Sequence, residues 1–331
     1  MQRYIVSTKG VRLWQGIPAI ERSANGRLWC AFFSGGPQEP DPANTILLTM
    51  STTNGETWSE PVPIILPYGD WRAYDPCLWH DPSGRLWLFY NHSGFGEGGY
   101  IAALTTDDAS LAEPVWSEPY RIALGVPFSF RLNKPTVISS GDWLLPVTFM
   151  TTAPAGWFGS DEHLQGVAIS SDRGRSWHLH GALRAPAWAL ENMIVERRDG
   201  TLWMLIRTGA GVLWQSFSSD GGHSWAPPTP SAFVNPGVRF FIHRLASGRL
   251  LFINTPDPRE RRTLLAYLSD GRDDAPFGPG LMLDVRDKVS YPDAVQAPDG
   301  TIYAVHDCDR QGAGEILLDV FSEDELLALG E

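Results

Sequence analysis

Six short segments of the chain repeat one pattern, a glycine turn flanked on both sides by apolar or alternating residues. They read SANGRLWCAFFSG around Gly26, DPSGRLWLFYNHSG around Gly84, ISSGDWLLPVTFM around Gly141, ERRDGTLWMLIRT around Gly200, LASGRLLFINTP around Gly248 and APDGTIYAVHD around Gly300. Successive glycines lie 58, 57, 59, 48 and 52 residues apart, enough each time for a four-stranded antiparallel sheet with its loops. Six such units predict an all-β fold, a six-bladed β-propeller formed by one domain over residues 1–331. Radial closure removes long exposed sheet edges. The 14 Trp, 33 Gly and 26 Pro, with few helical patterns, suit many short strands joined by tight turns.

A second motif recurs out of phase with the first. Ser170 to Trp177 and Ser218 to Trp225 both follow S-x-D-x-G-x-[ST]-W, and Ser51 to Trp58 reads as the same turn with Asn54 in place of Asp. Thr105 to Trp116 looks like a stretched copy. Asp or Asn bonds its own loop, Gly relaxes the turn and Trp packs on neighbouring strands, so these boxes are structural. At the ends, Tyr4 to Val6 is placed as an outer strand closing the ring against the last blade, whose last strand is Ile316 to Phe321. Ser322 with Glu325 forms a capping-box pattern for a short terminal helix.

The central hairpin carries the chemistry. In LENMIVERRDGTLWMLIRT, Asp199-Gly200 is expected to turn with positive φ angles. Glu191 and Arg207, each about eight residues from the turn, meet at its open end, as a structural ion pair or as part of a site. Counting the same offset back from every turn gives Ile17, Asp75, Leu132, Arg239 and Tyr291 as equivalents of Glu191. Strand alternation gives these one facing direction if no bulge intervenes. Asp75, Glu191, Arg239 and Tyr291 then ring one mouth, with Asn133 and Lys134 as further polar lining. Asp75 either binds a ligand hydroxyl or neutralises Arg72.

The formal net charge of −12 argues against nucleic acid or an anionic membrane as partner. Cys30, Cys77 and Cys308 have no disulfide or metal spacing, and His80, His92, His243 and His306 show none either. No metal and no cofactor are expected. Met1 to Ser7 carries no leader pattern and no later run could span a bilayer, so the expected location is cytoplasmic. Oligomeric state is left open.

The boxes and the six hairpins together resemble the sialidase (neuraminidase) superfamily over essentially the whole chain. The segment from Glu191 to Arg207 resembles the one in which a Glu assists the catalytic Tyr and an Arg holds the substrate carboxylate. Ser290-Tyr291-Pro292 is similar to the segment bearing the Tyr nucleophile. NTPDPRERRTLLAYL resembles the segment with another carboxylate-binding arginine, at Arg261 or its neighbour Arg262. Asp41 falls where the family keeps its acid/base Asp, with Asp70 in reserve. YDPCLWHDPSGRLW, which contains Asp75, resembles the second-blade strand.

One departure stands out: where sialidases have an Arg-Ile-Pro tripeptide that completes the arginine triad, this chain reads Gly16-Ile17-Pro18. Losing a charge-assisted contact of roughly 1.5–3 kcal/mol weakens ligand binding about ten- to a hundredfold. Arg239, between Glu191 and Tyr291 in the shared register, is either the replacement for the missing arginine or a surface Arg or partner for Glu191. The resemblance implies retaining exo-hydrolysis of a terminal acidic sugar on an oligosaccharide or glycoside. Tyr291 would be the nucleophile, Glu191 its base, Asp41 the acid/base, and Arg207 and Arg261 the carboxylate ligands. The alternatives are a hydrolase or lyase for another acidic sugar such as a uronide, and a carbohydrate-binding propeller without catalysis.

Overall fold

The computed structural model describes residues 1–330 apart from 132, 155, 157–162, 186 and 272–276. Its most repetitive feature is the set of six glycine turns. Gly26, Gly84, Gly141, Gly200, Gly248 and Gly300 all take φ between 82° and 91°. Each donates its N–H to the carbonyl three residues back, as Gly200 does to Arg197 at 3.0 Å. Asp199 does not share the positive φ. The turn thus needs one left-handed residue, whereas a primed two-residue turn needs positive φ at its first or at both central positions, and this corrects the expectation for Asp199-Gly200.

Six four-stranded blades follow. Blade one comprises Gln15–Arg22, Leu28–Ser34, Thr45–Ser51 and Val62–Ile65. Blade four comprises Ala189–Glu196, Leu202–Thr208, Val212–Ser218 and Thr229–Val234, and blade five Phe241–Arg244, Leu250–Asn254, Arg262–Leu268 and Leu281–Asp287. Blade six takes Val289–Gln296, Thr301–Cys308 and Glu315–Ser322 from the end of the chain and its outer strand, Gln2–Thr8, from the beginning. Tyr4 lies opposite Leu318 in that pairing, which is the expected closure. Blade two is Trp71–His80, Leu86–Gly94, Gly98–Thr106 and Tyr120–Ile122; blade three is Thr136–Val137, Trp143–Met150, Leu164–Ser170 and His178–Leu183. Phe128–Phe130 joins these two into one sheet, antiparallel to Trp143–Met150 and parallel to the strand at Gly99. After blade six, Ser322 and Glu325 close a capping box on the helix Glu323–Leu327.

The core lies between blades. Blades one and two share a cluster that includes Trp29, Leu48, Leu78 and Leu88; blades six and one share Ile20, Phe32, Val305 and Leu318. Because both faces of a blade are covered, Leu202–Thr208 is buried at every position.

The recurring boxes connect third and fourth strands. In blade three, Asp172 Oδ1 accepts the Ser176 N–H at 2.9 Å and Ser170 Oγ accepts the Gly174 N–H at 2.8 Å; Asp220 and Ser218 repeat this in blade four. In blade one the acceptor is Thr53, whose Oγ1 takes the Thr57 N–H at 2.9 Å. Asn54 has φ of 52°, matching Arg173 at 62°. Thr53, not Asn54, therefore replaces Asp.

Candidate active site

The register shared by the six hairpins marks a backbone device. The pairing shifts between Gly16 and Ala19, Tyr74 and Cys77, Leu190 and Asn192, and Ser290 and Asp293. Inside each shift one residue adopts the left-handed conformation: Ile17 at φ 59°, Asp75 at 50°, Glu191 at 61° and Tyr291 at 57°. A β-bulge thus interrupts the inner strand of four blades at one position. It does not scramble the register among these four blades, because each carries the same extra residue. Leu132 lies outside the described residues, and Arg239 precedes the first strand of blade five, so neither belongs to this set. Left-handed φ in β-branched or bulky residues costs on the order of 1–2 kcal/mol each, and it clusters where a site needs side chains aimed off the regular pleat.

Arg207 ties the group together. Its Nη1 donates to Glu191 Oε1 at 2.7 Å and to the Tyr291 hydroxyl at 3.0 Å, while Nε donates to the Gly237 carbonyl at 2.7 Å. Glu191, Arg207 and Tyr291 are all buried, at 4%, 4% and 6% exposure, so they share one compartment. Burial opposes the Arg207 charge, but Glu191 and Tyr291 outweigh it and hold its pKa above the ordinary value. Glu191 Oε2 is buried with no hydrogen-bond partner among the described residues.

Two further guanidinium groups face the same phenol. Arg261 lies 5.6 Å and Arg310 4.2 Å from the Tyr291 ring centroid, beside Arg207 at 5.7 Å. Arg262 instead pairs with Glu260 at 3.2 Å, so the choice between neighbours falls on Arg261. No side chain or carbonyl among the described residues accepts a hydrogen bond from Arg261. Burial, and repulsion from Arg310 and Arg207 against an attraction from Tyr291, lower its pKa.

Arg310 was not foreseen. It sits after the sixth hairpin, outside the shared register, where no repeat-based count reaches. Nε donates to Asp307 Oδ2 at 2.9 Å, Nη1 to Glu39 Oε2 at 3.2 Å and Nη2 to Ser290 Oγ at 3.3 Å. The one sequence signal for it is the glycine at position 16, whose missing side chain leaves room for another residue.

Arg239 is placed differently from expectation. It is fully buried, with Nε on Asn133 Oδ1 at 2.8 Å, Nη1 on the Pro18 carbonyl at 3.3 Å and Nη2 on Asp293 Oδ1 at 3.5 Å. Its guanidinium belongs to an axial network in which Lys134 meets Glu21 at 2.6 Å and Asp293 at 3.3 Å. It serves that network and does not supply the arginine absent from blade one; Asn133 and Lys134 are likewise network members.

Asp75 is buried, and its Oδ2 accepts from Asn91 Nδ2 at 3.1 Å. Burial first, then Glu39 and Glu191, push its carboxyl up to about 8 despite Arg72 and Arg131. Arg72 stacks 3.6 Å from the Tyr74 ring centroid and donates to Asn44. Asp41 is half-buried; its Oδ1 accepts the Ala43 N–H at 2.8 Å, and its own N–H donates to Asn44 Oδ1 at 3.0 Å. Asp70 is exposed in a turn. Glu39, two residues before Asp41, is the carboxylate of that loop that touches the arginine group.

No group of His, Cys, Asp and Glu among the described residues could hold a metal ion. A cavity of about 850 Å³ between blades four and five, lined by Trp203, Phe217, Phe252 and Tyr267, shares no lining residue with the Tyr291 group. Its walls bear little titratable chemistry, so size does not make it the site.

A buried phenol and a buried carboxylate stand on bulged inner strands of a six-bladed ring, and three arginines, one from a second strand and two from loops, converge on the phenol. The family model described as BNR repeat-like domain matches residues 26–304, and the chain belongs to that family. Among solved structures it resembles a Hadza microbial sialidase, at 18% identity and a TM-score of 0.79 over 96% of this chain and 67% of that one. It also resembles the intramolecular trans-sialidase of Ruminococcus gnavus, solved with oseltamivir carboxylate, at 16% identity and 0.75 over 98% and 97%. A protein of unknown function from Dyadobacter fermentans matches at 17% identity and 0.76 over 97% and 98%. No curated protein matches. At these identities the solved structures establish the fold.

Proposed function

We propose that the protein is a retaining exo-glycoside hydrolase that removes a terminal acidic sugar, a sialoside in the first instance. The observation that carries this reading is the shared donor: one nitrogen of Arg207 holds both the Tyr291 hydroxyl and Glu191, beside an Arg261 guanidinium without an acceptor among the described residues. A binding module has no need of a phenol and a carboxylate bonded to one buried nitrogen.

A neutral phenol approaches an anionic sugar without the repulsion that a carboxylate nucleophile meets. Tyr291 Oη forms the bond to the anomeric carbon as the glycosidic bond breaks, and its proton passes to Glu191, whose Oε2 is buried and without a hydrogen-bond partner among the described residues. The leaving oxygen takes a proton from the acid in the loop at 39–41. Asp41 is the first choice, its Oδ2 being outside the turn bond that engages Oδ1; Glu39 is the second. Water then attacks the glycosyl-tyrosine, giving its proton to the same acid residue, while Tyr291 recovers a proton from Glu191. Two displacements retain configuration. Arg207 and Arg261 bind the sugar carboxylate, and Asp75 faces the ring hydroxyls.

Hydrolysis of a chromogenic sialoside tests this. Wild type is expected to turn it over, and Tyr291→Phe to lose about a hundredfold or more in kcat; Asp41→Asn and Glu39→Gln, compared on a phenol and an alkyl leaving group, identify the acid. Turnover of a uronide with none of the sialoside would move the reading to another acidic sugar. Binding without turnover of either would leave a lectin.

A further inference from the structure

Gly16 is a left-over only until its surroundings are measured. A Cβ built there would meet Arg310 Cδ at 2.7 Å, Cγ at 2.9 Å and Nε at 3.0 Å, and φ at Gly16 is not in the left-handed range. Close approach, not backbone freedom, is therefore what requires glycine. The side chain filling the space carries a guanidinium to within 4.2 Å of the Tyr291 ring centroid.

We propose that Arg310 is a substrate-binding residue, the third guanidinium of the carboxylate clamp, delivered from the loop between Thr301–Cys308 and Glu315–Ser322 of blade six into the space that Gly16 leaves open on blade one. The inference rests on the acidic-sugar reading above and says how that ligand is held. Asp307 is the anchor: its Oδ2 accepts from Arg310 Nε at 2.9 Å and from the Ile17 N–H at 2.8 Å, and its Oδ1 from Ser290 Oγ at 2.8 Å. One carboxylate thus fixes the arginine, the bulge of blade one and the residue before Tyr291. The terminal nitrogens, in contrast, rest on the longer contacts to Glu39 and Ser290, 3.2 and 3.3 Å. A ligand carboxylate offers them shorter, planar, bidentate bonds. Arg207 pairs with Glu191 and Arg310 with Asp307 and Glu39, and Arg261 is the one of the three arginines with no ion-pair partner among the described residues. A ligand carboxylate therefore meets one guanidinium that is not already engaged, beside two whose terminal nitrogens it can share.

Calorimetric binding of N-acetylneuraminic acid and of its methyl ester, to wild type, Arg310→Ala, Arg310→Lys and the double variant G16R/R310A, tests the assignment. Wild type is expected to prefer the acid. Arg310→Ala should weaken the acid about 10- to 100-fold and the ester little; Arg310→Lys should recover only part, and G16R/R310A, which returns a guanidinium from the blade-one side, should recover most of the preference. Wild type that binds neither ligand, or both equally, would overturn the acidic-sugar reading and the clamp with it. Wild type that prefers the acid, with Arg310→Ala keeping that preference, would sink Arg310 alone. Equal losses of acid and ester in both Arg310 variants would reduce Arg310 to a structural role.

Discussion

At the scale of single residues, the site is assembled from side chains that ordinary strand geometry would point elsewhere. Ile17, Asp75, Glu191 and Tyr291 accept left-handed backbone, and packing around each must offset the cost. Asp75 shows what that packing does to a carboxyl. Its folded pKa of about 8, set by burial and then by Glu39 and Glu191, lies above an unfolded value of about 4. Between these values the folded protein holds a proton that the unfolded chain has released. The contribution to stability is complete below about pH 4 and is lost as pH rises through about 8, at a slope of at most about 1.4 kcal/mol per unit. Asp75→Asn keeps the neutral shape at all pH values. Urea midpoints measured from about pH 5 to 8.5 should fall for wild type and stay flatter for Asp75→Asn; parallel profiles would mean that Asp75 is ionised in the fold. How far the site was legible also shows here. Glu191, Arg207, Tyr291 and Arg261 were readable from chain spacing and resemblance, because each keeps a fixed distance from a hairpin turn or lies in a segment that resembles one. Arg310 and Glu39 lie in loops whose positions depend on neighbouring blades, and Arg239 was misplaced because blade five begins its strand two residues later.

At the scale of elements, the six turns share one conformation but not one environment. Nothing lies within 4 Å of a Cβ built on Gly200, whereas one on Gly55 in the first box would meet Leu318 Cδ2 at 2.2 Å. Gly200→Ala is therefore expected to cost only the conformational penalty, about 1–2 kcal/mol. Gly55→Ala adds displacement of a buried leucine in the cluster between blades six and one, and should cost about 1–3 kcal/mol more. Chemical denaturation of the two variants checks this, and equal losses would mean that Leu318 relaxes without cost. The Asp box misread at Asn54 has a similar cause. A short motif records which residue types suit a turn, but Thr53 and Asn54 both suit it, and only the hydrogen bond from Thr57 to Thr53 tells acceptor from left-handed spacer.

At the scale of the whole molecule, the ring is held shut by one strand. Gln2–Thr8 pairs with Glu315–Ser322, and Arg3 adds contacts to Asp319 at 2.8 Å and Asp284 at 3.2 Å. Removing residues 2–8 leaves the last strand as a bare edge of a sheet otherwise covered. The truncated chain is expected to melt at lower temperature and to aggregate on heating, with light scattering rising at the transition. An unchanged melting temperature would show that interblade packing alone closes the ring.

The chain's repeats by themselves determined the blade count, the turn positions, the strand from the N-terminus that completes blade six and the gathering of Tyr291, Glu191 and Arg207 at one mouth. These follow from local periodicity, since a hairpin's offsets are counted along its own backbone. Only the tertiary structure decided that the inner strands bulge in common, that Arg239 sinks into the axial network and that Arg310 crosses to the place left by Gly16. Those outcomes depend on which side chains from different blades compete for one buried volume and one set of carboxylates, and sequence spacing carries no measure of that competition.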